Sequence, residues 1–126
     1  MEREQNVIDL LLNLDPPRLP DKEIKIKRLT KLCGADVVFK IRALPYTRVA
    51  EIKKMSGEED MSVDIVLAGV VLPDLRDKRL CEKYNAVTPA ELLKKLLLPG
   101  EIEDISREVE KLSGYRALTI EDIKKK

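Results

Sequence analysis

The sequence predicts an α+β fold: one mostly α-helical domain with a single β-hairpin near its N-terminus. Three observations predict it. Apolar residues recur at steps of three and four through most of the 126 residues, and in one stretch from Glu23 to Ala43 the period falls to two. The composition is 44% hydrophobic with one Phe, three Tyr and no Trp, so the core has to be built from Leu, Ile and Val. A chain of this length buries roughly two-thirds of the surface it exposes when unfolded, enough for one core.

At the N-terminus, Val7, Ile8, Leu11, Leu12 and Leu14 predict a short amphipathic helix over residues 3–14 that stops before Asp15-Pro16-Pro17. Pro16, Pro17 and Pro20 make a stiff extended linker. Ile24 and Ile26 then alternate with Lys25 and Lys27, and Val37, Phe39, Ile41 and Ala43 alternate with Val38, Lys40 and Arg42. With Gly34 between the two runs, residues 29–35 are expected to be the turn of a hairpin. Such a hairpin places Lys25, Lys27, Lys40 and Arg42 together on the side away from the core. It is marginal alone and has to rest on helices.

Helices are expected from there on. Tyr46, Val49, Ile52 and Met55 mark one that ends at Ser56-Gly57. Residues 62–72 are so densely apolar that they read as a central buried helix stopped by Pro73-Asp74. Asp77 suits the N-cap of a helix carrying Leu80, Cys81 and Tyr84, with Asn85 in the left-handed position that closes it. In Thr88-Pro89-Ala90-Glu91, Thr88 fits an N-cap, Pro89 the first helical position, where no N–H is needed, and Glu91 the reciprocal capping residue. Pro99-Gly100-Glu101 repeats the punctuation, and Ile102, Ile105, Val109 and Leu112 follow as one stripe until Ser113-Gly114. A weak capping pattern at Thr119-Ile120-Glu121-Asp122 precedes Lys124-Lys125-Lys126. The expected organisation is therefore an N-terminal helix and Pro-rich linker (1–21), a domain of hairpin plus helices (22–115) and a flexible tail (116–126).

The net charge of +1 conceals segregation: residues 1–21 carry −3, 22–54 carry +7, 55–110 carry −6 and 111–126 carry +3. Opposed poles either face each other within one molecule or meet different partners, including further copies of the chain. The hairpin cations have the same two readings, a solvated face or a contact for an anionic partner.

Catalytic chemistry has little support. Without His the chain lacks the side chain used most for proton transfer near neutral pH and for zinc. Cys33 and Cys81, 48 positions apart, form no metal or redox motif. The five glycines are isolated and cradle no phosphate, and no serine sits in a nucleophile elbow. No cofactor or metal is expected. No apolar run reaches the roughly 18 residues of a membrane span, and the polar N-terminus is not that of a signal peptide. Aromatic residues beside the cations are limited to Phe39 and Tyr46, with Phe39 on the inward set, so nucleic acid is a minor alternative that rests on phosphate contacts to the basic hairpin.

From the central helix onward, the ordered series Ala68 to Leu75 with its Pro73-Asp74, then Leu80 to Tyr84, Thr88-Pro89-Ala90-Glu91, Leu97-Leu98-Pro99-Gly100-Glu101-Ile102 and Leu112-Ser113-Gly114-Tyr115 resembles the XkdN-like phage tail assembly chaperones. The resemblance covers about residues 23–115, and departs at Asn85, where the family pattern leads one to expect Gly. It implies a non-catalytic protein of the host cytoplasm, encoded by a phage or prophage and absent from the finished virion. Such a protein binds the tape measure protein, keeps it soluble, and is displaced by the major tail protein. It also implies a longer form of the chain made by translational frameshift, for which the codons of Lys124-Lys125-Lys126 are candidate slippery sequence. Partner contacts are then expected at Lys25, Lys27, Lys40 and Arg42, and at Ile102, Ile105, Val109 and Leu112 on condition that this stripe is exposed. The runner-up from another class is a small nucleic-acid-associated regulator.

Overall fold

A computed structural model describes residues 2–116 and 118–123. Among them are seven α-helices and three strands: α1 (Glu2–Asn13), β1 (Asp21–Lys25), α2 (Lys27–Cys33), β2 (Val38–Arg42), α3 (Tyr46–Met55), α4 (Met61–Gly69), β3 (Val70–Leu72), α5 (Lys78–Lys83), α6 (Pro89–Leu96) and α7 (Pro99–Leu112). This is the predicted α+β class, with two local differences.

The first lies inside the hairpin. β1 and β2 are antiparallel, with Ile24 opposite Phe39 and Lys22 opposite Ile41, but their connection is a helix. Lys27 to Cys33 form seven helical residues closed by Gly34 in the left-handed conformation (φ +70°), whose N–H donates to Thr30 O at 3.0 Å. Thr30 Oγ1 also accepts from Val37 N at 2.9 Å, and Ile26 N donates to Val37 O at 3.1 Å, so the pairing resumes at the foot of α2. Lys27 is the first residue of this helix and leaves the strand face on which the alternation had put it.

The second difference is in the densely apolar run. The helix stops at Gly69, and Val70–Leu72 form a third strand that pairs with β2 in the order β1-β2-β3. Two β-branched valines favour extended backbone, and Pro73 disfavours helical backbone at the residue before it. The open edge of β2 supplies hydrogen-bond partners to this stretch. Lys40 sits opposite Leu72 and Ile41 opposite Val70, with a register shift between them that leaves Val71 as the extra residue of a bulge.

The core lies between the inward face of this sheet and the helix pair α4 and α7. Phe39, Ile41, Val63, Val66, Leu93, Ile102, Ile105 and Val109 are all buried in it. Gly69 permits the close crossing of α4 and α7: a Cβ there would lie 2.6 and 2.7 Å from the two γ-methyls of Val109. Local punctuation agrees with the residues. Asp77 accepts from Arg79 N at 2.8 Å, Thr88 Oγ1 accepts from Glu91 N at 3.1 Å, and Asn85 takes φ +52°. Glu91 reaches one residue further back than a capping box requires, accepting from Val87 N at 3.1 Å. Residues 118–123 form no helix, so the pattern at Thr119 to Asp122 caps nothing, and Lys124-Lys125-Lys126 lie outside the described residues.

Candidate partner-binding surfaces

On the outer face of the sheet, the antiparallel register sets an acid against each of two predicted cations. Asp21 is opposite Arg42 and Glu23 is opposite Lys40. Lys40 Nζ lies 3.9 Å from Asp21, and Lys25 Nζ lies 3.7 Å from Asp36. Lys25, Lys40 and Arg42 do share a face, but it is a mixed-charge face, and Lys27 projects from α2 instead. Sequence alternation located the cations and missed the acids between them, because which residues oppose each other depends on the strand register.

Two cations of the basic segment, Lys22 and Arg28, turn inward onto the acidic one. Arg28, at the start of α2, donates from Nη2 to Glu101 Oε1 at 2.8 Å, from Nε to Oε2 at 3.1 Å, and from Nη2 to the carbonyl of Leu96 at 2.9 Å. Glu101 also accepts from Leu98 N at 2.7 Å, so one carboxylate caps α7 and clasps α2. The Arg28 hydrogen bonds hold its pKa below the ordinary glutamate value. Lys22 bonds Glu108 from the inward face of β1, and that bond, with a second from Lys111, lowers Glu108 likewise. The two poles therefore meet within the molecule at these two ion pairs.

The stripe on α7 is not exposed. Ile102, Ile105 and Val109 are at most 6% accessible and Leu112 is half-buried, because α4 packs along them with Gly69 at the crossing. The condition for a docking role fails, and these residues belong to the core.

Uncovered apolar surface lies elsewhere. Val7, Ile8, Leu10, Leu11, Leu12 and Leu14 of the N-terminal arm are all at least half exposed. At the other end of the described chain Leu118, Ile120 and Ile123 are exposed too. Between α3, α4 and the C-terminal turn of α7 runs a cleft of about 390 Å³. Leu44, Val49, Ile52, Met61 and Ile65 form its apolar wall, and Lys53, Glu58, Glu110 and Arg116 its charged rim. Arg116 Nε donates to Glu110 at 3.1 Å, and Lys53 Nζ stands 5.5 Å over the ring of Tyr115. The exposure of the arm was not legible from its pattern, since amphipathic spacing does not say whether another element covers the apolar face. The cleft combines residues from three separate segments and has no sequence signature.

Among the described residues no cluster of His, Cys, Asp or Glu could hold a metal ion, and no helix is long and apolar enough to cross a membrane. The family model described as phage XkdN-like tail assembly chaperone protein, TAC, matches residues 8–125. A crystal structure of the protein yqbn has a similar fold, with a TM-score of 0.66 and 23% identity over 80% of this chain and 90% of that one. No curated protein matches significantly.

Proposed function

The chain belongs to the family of XkdN-like phage tail assembly chaperones, and from that premise we propose that it binds the tape measure protein during tail assembly and performs no catalysis. The family match over residues 8–125 carries this reading. The uncovered aliphatic side chains of the arm and the apolar wall of the α3–α4–α7 cleft support it, being the kind of surface that takes up the apolar face of a long helical client. In this reading the client leaves when the major tail protein polymerises around it, and the work takes place in the cytoplasm of the bacterial host. A frameshift-extended form of the chain is part of the same proposal, as is association between copies. Lys25, Lys27, Lys40 and Arg42 would contribute peripheral charge contacts.

Co-expression with the long, helix-rich polypeptide encoded alongside it tests the proposal. The expected result is that this product becomes soluble and co-purifies with the chain or its extended form. Insolubility with both forms overturns the proposal.

A further inference from the structure

The N-terminal arm is unusual for a helix in water. At 3.6 residues per turn, Leu10, Val7, Leu11, Ile8 and Leu12 of α1 occupy one arc of about 200°, with Asn6, Asp9 and Asn13 opposite. An apolar arc that wide is typical of a helix with a partner. Twelve residues are also marginal as an isolated helix, so something has to hold α1 for it to persist.

The root of the arm identifies the surface. Pro20 O accepts from Ala43 N at 2.9 Å. The next residue, Leu44, lines the cleft, and its N–H donates to Ser113 Oγ at 2.9 Å. The arm thus leaves the domain within about 10 Å of the cleft wall. Residues 14–20 reach about 20 Å as a polyproline-like tether, enough to bring α1 back over the opening. Charge favours the return: residues 1–20 carry −2, whereas α3 carries Arg48, Lys53 and Lys54 against Glu51 alone. Glu58 and Glu110 on the rim oppose it in part, with Glu110 already paired to Arg116.

We propose that the α3–α4–α7 cleft is a helix-docking groove and that its occupant in the free protein is α1 of the same chain. The cleft has room for a row of side chains and not for a whole helix, so Val7, Leu10 and Leu11, at i, i+3 and i+4 of α1, enter it while the rest of the helix lies across the mouth. The structure shows the arm-open arrangement, with these side chains in solvent. A short tether gives α1 an effective concentration in the millimolar range, about a thousandfold above that of a second copy at micromolar protein, and that ratio selects the arm's own chain as occupant. The proposal concerns the free protein and holds whether or not the client is a tape measure protein.

Cysteine pairs test it in the full chain with Cys33 and Cys81 changed to Ser. Leu11→Cys with Val49→Cys should cross-link within one chain under oxidised glutathione at least about tenfold faster than Leu11→Cys with Leu32→Cys, and the rate should not change on dilution. Cross-links that form only between chains and slow on dilution would make a second copy the occupant and overturn the proposal. Equal rates for the two pairs would overturn the groove itself. Should a cysteine variant fail to fold, amide exchange in the unmodified protein decides: α1 should be protected at least about tenfold, and Leu11→Asp should abolish this. Unprotected α1 amides in the unmodified protein would also overturn the proposal.

Discussion

Helices α1 and α7 are both amphipathic, yet Val109 is fully buried while Leu11 is 64% exposed. What separates them is whether another element faces the stripe. Opposite α7 stands α4, which presents Val63, Val66 and, at the closest point, the absent side chain of Gly69. The apolar side chains of α1 stand in solvent in this arrangement. Amphipathicity states that a helix has a face to cover and is silent on what covers it.

The largest expected effect tests this contrast directly. Ile105→Ala should lower the urea-unfolding free energy by about 2–5 kcal/mol, since it leaves a cavity among fixed neighbours. Leu11→Ala should cost less, about 1 kcal/mol, as expected of an arm that docks on the domain and opens without unfolding its core. Equal losses at the two positions would mean that α1 is part of the core in solution.

A smaller effect probes why α7 finds a partner at all. Gly69→Ala forces a methyl into the γ-methyls of Val109 and should cost about 1–3 kcal/mol. Val109→Ala in the same chain should return part of that loss, making the pair non-additive in a double-mutant cycle. Simple additivity would show that the crossing is looser than described.

The smallest effect concerns the clasp between Arg28 and Glu101 and between Lys22 and Glu108, where the two charge poles touch. Glu101 and Glu108 have pKa values held below the ordinary glutamate value, so their stabilising contribution is complete above that value and is lost as pH falls through the depressed ones. Stability should therefore decline on acidification below about pH 4.5, and Glu101→Gln should reduce the slope over that window in urea titrations at stepped pH. An unchanged slope would remove Arg28 as the clasp's partner.

Much of the helical part was legible because its signals are local. Thr88 and Pro89 satisfy or remove donors of the turn they begin, Asp77 caps its own helix, and Asn85 tolerates positive φ, all within a few residues. α2 was missed because seven residues hold too little periodicity to separate a short helix from a turn. β3 was missed for a different reason: Val70-Val71-Leu72 continues the apolar run of α4, and only the free edge of β2 makes extended backbone the better choice. The candidate site was the least legible. Alternation showed where the cations stand, but register placed Asp21 and Glu23 beside them, and the exposed surfaces proved to be α1 and the cleft, while the α7 stripe went to the core.

By itself the sequence determined the aliphatic composition, the helix boundaries that depend on caps and prolines, the two-residue period of β1 and β2, and the series of motifs that marks the family. Tertiary structure alone decided which apolar faces are covered, which charges neutralise each other, and that a third strand forms. Propensity and capping act over a few residues along the chain, whereas burial and strand pairing are properties of two surfaces that meet, and no single segment contains the information about its partner.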